Sequence, residues 1–107
     1  MSPKRFEIYL VSLDPIRGSE MRKTRPCLVV SPNEMNLHLN TVIVAPLTTT
    51  SRGYPSRVPA RVQSKTGEIV LDQLRTVDKS RLHKYITDLD AISSRKVANT
   101  LVEMFSF

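Results

Sequence analysis

The side chains of this sequence that could do chemistry are arginines, hydroxyl residues and carboxylates, because the usual catalytic signatures are missing. The two histidines, His38 and His83, lie far apart and have no Cys or His neighbours at metal-ligand spacing. The three glycines are isolated, so there is no glycine-rich phosphate loop, and no Gly-x-Ser-x-Gly segment occurs. We therefore expect neither a bound metal nor a cofactor.

Arg25 and the hydroxyl residues at 48–51 lie at the ends of two predicted strands. Arg25 precedes an apolar run at 27–31, and the proline that follows it restricts its backbone. The hydroxyl residues follow a second apolar run at 41–45. If these strands are antiparallel neighbours, the start of one lies beside the end of the other, so Arg25 should lie close to Thr48. Capping and turn hydrogen bonds are the alternative role for the threonines.

A long charged loop, residues 14–26, separates the first two predicted strands. A hairpin needs only about two to five residues, and long loops in compact domains are usually functional or disordered. The loop carries four cations and two carboxylates, namely Arg17, Arg22, Lys23, Arg25, Asp14 and Glu20. Most of it cannot be buried without paired charges, so a solvated hairpin loop is the alternative to a functional one.

Composition points to a small basic protein. The 107 residues suffice for one domain, 1–107, with its own core. Sixteen Lys and Arg against ten Asp and Glu give a net charge of +6, which favours polyanionic partners, nucleic acid first. The single cysteine, Cys27, is expected to be a small buried apolar residue. We find no signal-peptide pattern and no membrane span, so the expected location is the cytoplasm, without membrane association.

Apolar runs and alternating patterns predict six or seven short strands. They cover residues 6–13, 27–31, 41–45, 57–63, 68–71, 75–78 and the later part of 81–89. Pro46 is predicted to end its strand or to mark an edge, and Pro59 to mark an edge or a bulge. Residues 65–67 are predicted to form a hairpin turn. Residues 33–40 support at most one helical turn or an irregular crossover.

Only the C-terminus has a clear helical pattern. Asp90 or Ser93 can cap this helix. Four apolar residues then share one helical face and should pack on the core, namely Val97, Leu101, Met104 and Phe105. Short strands followed by one helix, without a βαβ rhythm, predict a mainly β (α+β) fold with a small antiparallel barrel or a strongly bent sheet.

Ordered motifs along nearly the whole chain resemble the MazF/PemK family of toxin endoribonucleases. The matching segments are Glu7-Ile-Tyr-Leu-Val, Leu13-Asp-Pro, Arg17-Gly-Ser-Glu20, Thr24-Arg-Pro26, Val29-Val-Ser-Pro32, Ala45-Pro-Leu-Thr48, Arg52-Gly-Tyr-Pro55 and Leu71-Asp-Gln-Leu-Arg-Thr76. The resemblance implies an SH3-like barrel, a homodimer and cleavage of single-stranded RNA at short motifs. It also implies a cognate antitoxin whose flexible acidic segment occupies the RNA groove. The family's catalytic arginine and threonine correspond to Arg25 and Thr48.

Two positions depart from some plasmid members of that family. Those members carry a histidine where this chain has Ser19 and an arginine where it has Val70. The histidine-dependent mechanism therefore cannot be transferred, whereas the arginine and threonine version can. In that version the 2'-hydroxyl of the RNA attacks the phosphate, which requires in-line alignment and stabilisation of phosphate charge but no metal.

Further residues are expected to support this site. Glu20 and Asp72 are candidates for the general base, because arginine stays protonated at neutral pH, although Glu20 can equally pair with a loop cation. The expected RNA-binding residues are Arg17, Arg22, Lys23, Thr49, Ser51, Arg52, Tyr54, Gln73 and Arg75. The alternatives are a solvated loop tip for Arg22 and Lys23, packing against the barrel for Tyr54 and a backbone contact to the opposing loop for Gln73.

Two other functions remain open from the sequence. A non-catalytic toxin of the same fold could bind DNA gyrase, as CcdB-type poisons do, but those act through a tryptophan and this chain has none. A family member that has lost activity and only binds RNA or a regulator is the second alternative.

Overall fold

A computed structural model of the chain describes residues 2–13 and 24–107. These residues form seven β-strands, two α-helices and two short 3₁₀ turns. The strands are β1 (Glu7–Ser12), β2 (Thr24–Val29), β3 (Thr41–Thr48), β4 (Arg57–Val62), β5 (Lys65–Val70), β6 (Arg75–Asp78) and β7 (Leu82–Asp88). The helices are α1 (Asn33–His38) and α2 (Ala91–Phe105), and the 3₁₀ turns are Leu71–Gln73 and Lys79–Arg81. No helix in these two ranges is long and apolar enough to cross a membrane.

The sheet is organised around β3. Its strands follow the order β4-β5-β3-β2-β1-β7, with antiparallel neighbours, and β6 also pairs with β3. The first half of β3, residues 41–44, pairs with β6, whereas its last two residues pair with β5. Sharing one strand among three partners curls the sheet on itself. The predicted mainly β fold with a bent antiparallel sheet and a C-terminal helix is confirmed.

Side chains on the central strands alternate between two hydrophobic cores, as the two-residue period of a strand requires. On β2, Leu28 belongs to one core and Cys27 and Val29 belong to the other. On β3, Ala45 belongs to the same core as Leu28, and Val44 belongs to the same core as Cys27 and Val29. Both faces of these strands are therefore buried, which explains why the sequence shows continuous apolar runs here instead of alternation.

Helix α2 packs on the core that contains Leu28. The Asp90 carboxylate accepts a hydrogen bond from the backbone N–H of Ser93 at 3.0 Å, so the predicted cap is Asp90. Val97 is fully buried, and Leu101 and Met104 pack on the same core.

The prediction that Phe105 packs on the core was wrong, because its side chain is 72% exposed. Eight residues at 3.6 residues per turn rotate this position by about 80° from Val97, to the margin of the apolar face. Phe105 is also the last residue of α2, so little of the core lies beneath it.

The β4–β5 turn lies earlier than predicted. Residues 65–67 belong to β5, and the connection consists of Gln63 and Ser64, both with positive φ (49° and 69°). Gly67 is needed for another reason: a Cβ there would lie 1.9 Å from the carbonyl oxygen of Thr48. This glycine lets β5 approach β3 closely, and the sequence alone does not distinguish that role from a turn.

Pro46 lies inside β3, which continues to Thr48, so the prediction that it ends the strand or marks an edge was wrong. It falls between the β6 ladder, which ends at Val44, and the β5 ladder, which begins at Leu47. A proline is tolerated where a strand changes partners. Pro59 lies on β4, the outer strand of the sheet order, as predicted. The 33–40 segment contains the short helix α1.

Candidate active site

Arg25 and Thr48 lie on adjacent strands and line the same cavities. β2 and β3 are antiparallel, with Leu28 opposite Ala45 and Cys27 opposite Pro46. Continuing this register beyond the last pair brings Arg25 beside Thr48. Arg25 lies on β2 and Thr48 ends β3, so each is held by a strand and not by a free loop. The juxtaposition expected from the sequence is therefore present.

Two cavities share Arg25 and Thr48 as walls. The larger, the main groove, has a volume of about 550 Å³, and the smaller, the arginine pocket, about 220 Å³. The polar walls of the arginine pocket are Arg25, Arg52, Arg57, Thr48, Thr50 and Gln73. Three arginines around so small a space favour an anion with several oxygens, such as a phosphate.

The main groove combines apolar and cationic walls. Its apolar side chains include Leu10, Leu47 and Val62, and its cations other than Arg25 are Lys65 and Lys84. Tyr85 lines the same groove, and its ring meets that of Tyr9 edge to face with centroids 5.7 Å apart. Such a surface suits a nucleoside, which presents an apolar base next to a charged phosphate.

The Thr48 hydroxyl is oriented by the backbone. Its oxygen accepts a hydrogen bond from the N–H of Thr50 at 3.1 Å. Among the residues that the structure describes, none accepts a hydrogen bond from the Thr48 O–H, so this proton is available to a ligand in either cavity. Thr48 also pairs with Glu68 in the β3–β5 ladder, and Gly67 leaves room for the Thr48 carbonyl.

Cys27 lies on β2 two residues after Arg25, and its side chain is fully buried. Burial raises the pKa of its thiol to about 12, and the nearby guanidinium groups of Arg25 and Arg75 offset this only in part. A thiol with so high a pKa is a poor nucleophile at neutral pH.

Asp72 is tied to Arg57. Its carboxylate accepts hydrogen bonds from Arg57 Nε at 2.8 Å, from Arg57 Nη2 at 3.3 Å and from the Ser56 hydroxyl at 2.8 Å. The hydrogen bond from Arg57, assisted by that from Ser56, lowers the pKa of Asp72 to about 2. A carboxylate with this pKa binds a proton weakly and makes an inefficient general base near pH 7.

The model of a family described as PemK-like, MazF-like toxins of type II toxin-antitoxin systems matches residues 4–105. The chain belongs to this family.

Individual relatives agree with this family assignment. Endoribonuclease MazF of Staphylococcus saprophyticus is 32% identical over 106 residues, which cover 92% of this chain and 87% of the relative. A mycobacterial endoribonuclease, solved in complex with its cognate antitoxin, is 29% identical with a TM-score of 0.80, covering 95% of this chain and 93% of its own. A MazE–MazF structure from Deinococcus radiodurans has a TM-score of 0.82 at 23% identity, covering 100% and 99% of the two chains, and supports the fold alone.

The site residues predicted from the sequence fall into three groups in this PemK/MazF-like chain. Arg25, Thr48, Thr49, Arg52 and Gln73 line one or both cavities. Ser51, Tyr54, Asp72 and Arg75 are exposed at positions outside the cavity walls. Arg17, Glu20, Arg22 and Lys23 lie outside the described residues.

The sequence analysis missed several residues of the site, among them Glu68 and Arg57. Glu68 is 4% exposed and lines the main groove opposite Thr48 in the β3–β5 pairing. Arg57 lines the arginine pocket and approaches both Glu68 and Asp72. No motif marks either residue. One weak sequence signal was available for Glu68. It is a carboxylate directly before the buried run 69–71, and an unpaired charge at such a position would be unfavourable.

Proposed function

We propose that this PemK/MazF-like toxin is an endoribonuclease of a type II toxin-antitoxin pair that cleaves single-stranded mRNA at short sequence motifs. The observation that supports this most directly is the position of Arg25 beside Thr48, at the boundary between a cationic pocket and a mixed apolar groove. That arrangement suits a phosphate flanked by nucleosides. Its relative from Staphylococcus saprophyticus bears the name of an endoribonuclease.

The proposed reaction uses the 2'-hydroxyl of the RNA as nucleophile. The 2'-oxygen bonds to phosphorus, the bond from phosphorus to the 5'-oxygen breaks, and the leaving 5'-oxygen takes up a proton. The products are a 2',3'-cyclic phosphate and a 5'-hydroxyl, and no metal is required. Arg25 stabilises the charge on the non-bridging oxygens, and the free Thr48 O–H donates to one of them.

The group that removes the 2'-proton stays unassigned in this proposal. Asp72 is the described candidate, but its two oxygens already accept hydrogen bonds and its pKa is near 2. Glu20 lies outside the described residues. We therefore attribute catalysis chiefly to alignment and electrostatic stabilisation, which do not depend on a strong base.

The RNA strand is proposed to extend from this centre over the surface of the loop 49–56. Arg52 and Gln73 line the arginine pocket, and Arg75, like Arg25, is close enough to Cys27 for its charge to lower the pKa of that thiol. Tyr54 is 51% exposed, with the Arg57 guanidinium 5.0 Å from its ring centroid. One ring face is thus covered by Arg57, and the other is proposed to stack on an unpaired base. Thr49 and Ser51 contribute hydroxyl groups, and Arg17, Arg22 and Lys23 remain predicted phosphate contacts.

The proposed partners follow from the same basic surface. A flexible acidic segment of a cognate antitoxin would occupy these cavities and exclude RNA. Two solved relatives contain an antitoxin, one from a mycobacterial species and one from Deinococcus radiodurans. We further propose a single toxin domain over residues 1–107, a homodimer and a cytoplasmic location.

The test is cleavage of a mixed single-stranded RNA by purified protein in EDTA. We expect Arg25→Ala and Thr48→Ala each to lower kcat by roughly a hundredfold or more, since each removes a contact to the transition state. Arg95→Ala, at an exposed position of α2, and Thr100→Ala, at a half-buried position of the same helix, are the controls and should cut like the parent protein. End-group analysis should find cyclic phosphates.

Equal cleavage by the Arg25 and Thr48 variants would show that the site is wrongly assigned. Inhibition of DNA supercoiling with RNA left intact would instead support the gyrase-binding alternative.

A further inference from the structure

The loop 49–56, which connects β3 to β4, is held by a buried carboxylate. Glu68 lies on β5 opposite Thr48 and is 4% exposed. Its Oε1 accepts a hydrogen bond from the N–H of Arg52 at 3.0 Å, and its Oε2 accepts one from the N–H of Gly53 at 2.9 Å. Gly53 has a φ of +70°, a conformation that side chains other than glycine rarely adopt. The two consecutive N–H groups can therefore both point at one carboxylate.

Arg57 connects this carboxylate to the other end of the loop. Its Nη1 lies 3.8 Å from Glu68 Oε1, and its Nε donates to Asp72 at 2.8 Å. Its backbone N–H donates to the carbonyl of Tyr54 at 2.9 Å, and its guanidinium covers the ring of the same tyrosine. The two carboxylates fix one guanidinium, and that guanidinium fixes Tyr54.

Glu68 is poorly suited to act as a proton acceptor although it lines the main groove. Both of its oxygens already accept backbone hydrogen bonds. The N–H groups of Arg52 and Gly53, with the charge of Arg57, lower its pKa. A carboxylate in this state remains ionised at neutral pH, and its contribution is to hold the loop in one conformation.

We propose that Glu68 is a positioning residue that pre-forms the loop 49–56, so that Arg52 and Tyr54 are ready to bind nucleotides beyond the two that carry the scissile phosphate. This inference rests on the proposed ribonuclease function and extends it to residues that do not touch the reacting atoms. Without Glu68, RNA has to order the loop when it binds. The loss then appears in KM for substrates long enough to reach the loop, and not in the chemical step.

The experiment compares Glu68→Gln with the parent protein and with Glu103→Gln, a control on the exposed side of α2. Glutamine has nearly the same shape but only one acceptor oxygen, so one of the two loop N–H groups loses its partner. The first measurement is amide hydrogen exchange at Arg52 and Gly53 without RNA. The second is kcat and KM on a cleavable RNA of about ten nucleotides and on the dinucleotide that contains only its scissile step.

We expect Glu68→Gln to increase exchange at Arg52 and Gly53 and to raise KM on the longer RNA by about tenfold, with kcat changed less than about twofold. On the dinucleotide, kcat/KM should match that of the parent within about twofold, because this substrate lacks the further nucleotides that Arg52 and Tyr54 are proposed to bind. Glu103→Gln should match the parent in every measurement. Arg57→Lys, which keeps the charge but loses the two-point contact to Asp72, should shift KM in the same direction and tests the inference if Glu68→Gln does not fold.

Unchanged exchange at Arg52 and Gly53 would overturn the inference, as would an equal loss of kcat on both substrates. If the parent protein cuts neither RNA, the proposed function fails. The exchange measurement then still decides whether Glu68 holds the loop.

Discussion

Cys27 illustrates at the scale of one residue how the core beneath the site responds to pH. Its thiol is fully buried, and burial raises its pKa from 9.0 to about 12. The folded state therefore binds the thiol proton more tightly than the unfolded state does. The resulting stabilisation is complete below about pH 9 and is lost as the pH rises towards 12, because only the unfolded chain releases the proton in that window.

We expect Cys27→Ala to flatten this dependence. The parent should lose up to about 1.4 kcal/mol of unfolding free energy per pH unit from this group above pH 9. Urea denaturation of both proteins at pH 8, 9 and 10 measures the slope. Burial raises the pKa of Tyr9 from 10.0 to about 12, so Tyr9 also contributes near pH 10, but it does so in both proteins and its contribution cancels in the comparison. The variant will be less stable overall because it leaves a small cavity, so the slopes and not the absolute values are compared. If the unfolding free energy of the parent and of Cys27→Ala changed with pH at the same rate, the pH dependence would not come from the Cys27 thiol.

The sequence was sufficient to predict that Arg25 lies near Thr48, but not that Arg57 lies near Glu68. Arg25 and Thr48 could be brought together because both end strands that are adjacent in the chain, and antiparallel pairing then determines their relation. Arg57 and Glu68 contact each other only after β4 and β5 have paired and β5 has packed beside β3. That contact depends on register, and register follows from the turn at 63–64, which the sequence analysis placed too late.

That turn is the element whose local strain can be tested. Val62 lies opposite Lys65, so Gln63 and Ser64 form a two-residue connection, and both have positive φ. Glycine is preferred in such turns, because other residues lose free energy in the left-handed region. We expect Ser64→Gly to raise the melting temperature by roughly 2–4 °C, a net gain of about 0.5 kcal/mol after the greater flexibility of the unfolded chain is subtracted.

The matched control for the turn is Ser93→Gly in the first turn of α2. There the backbone is helical, and the same substitution should lower the melting temperature because glycine is the poorer helix former. A decrease for Ser64→Gly as well would indicate that the serine side chain stabilises the hairpin, contrary to the backbone interpretation.

At the level of elements, the strands were predictable because hydrophobic patterns report burial, whereas their ends were not. β6 was placed correctly at 75–78, and β7 and α2 lie where the pattern indicated. β3 runs past Pro46 because its pairing changes from β6 to β5 near that point. A single sequence does not show which strands pair with each other, so Pro46 was predicted to end its strand or to mark an edge. The predicted burial of Phe105 was wrong for a related reason, because helical periodicity does not indicate where the core ends along the helix.

At the scale of the whole molecule, the pairing of charges near the site leaves some arginines without a carboxylate partner among the described residues. The net charge is +6, yet the two described carboxylates near the site, Glu68 and Asp72, are both engaged by Arg57. Arg25 makes no ion pair with any carboxylate in residues 2–13 and 24–107, and neither does the side chain of Arg52. One arginine thus pairs with both local carboxylates, and the other two arginines of the pocket, Arg25 and Arg52, remain available for phosphate groups. Under the proposed function, RNA binding should depend strongly on salt.

We expect the logarithm of the RNA association constant to fall linearly with the logarithm of salt concentration. The slope should become less steep by about 0.7 in Arg52→Gln, because each phosphate contact to a single strand releases about that number of counterions. Fluorescence anisotropy with 2'-O-methyl RNA measures this without cleavage, since the blocked 2'-oxygen cannot attack. Lys96→Gln, an exposed position on α2, removes the same charge away from the pocket and should leave the slope unchanged. If both variants reduce the slope equally, RNA responds to net charge alone and the arginine pocket has no special role in binding.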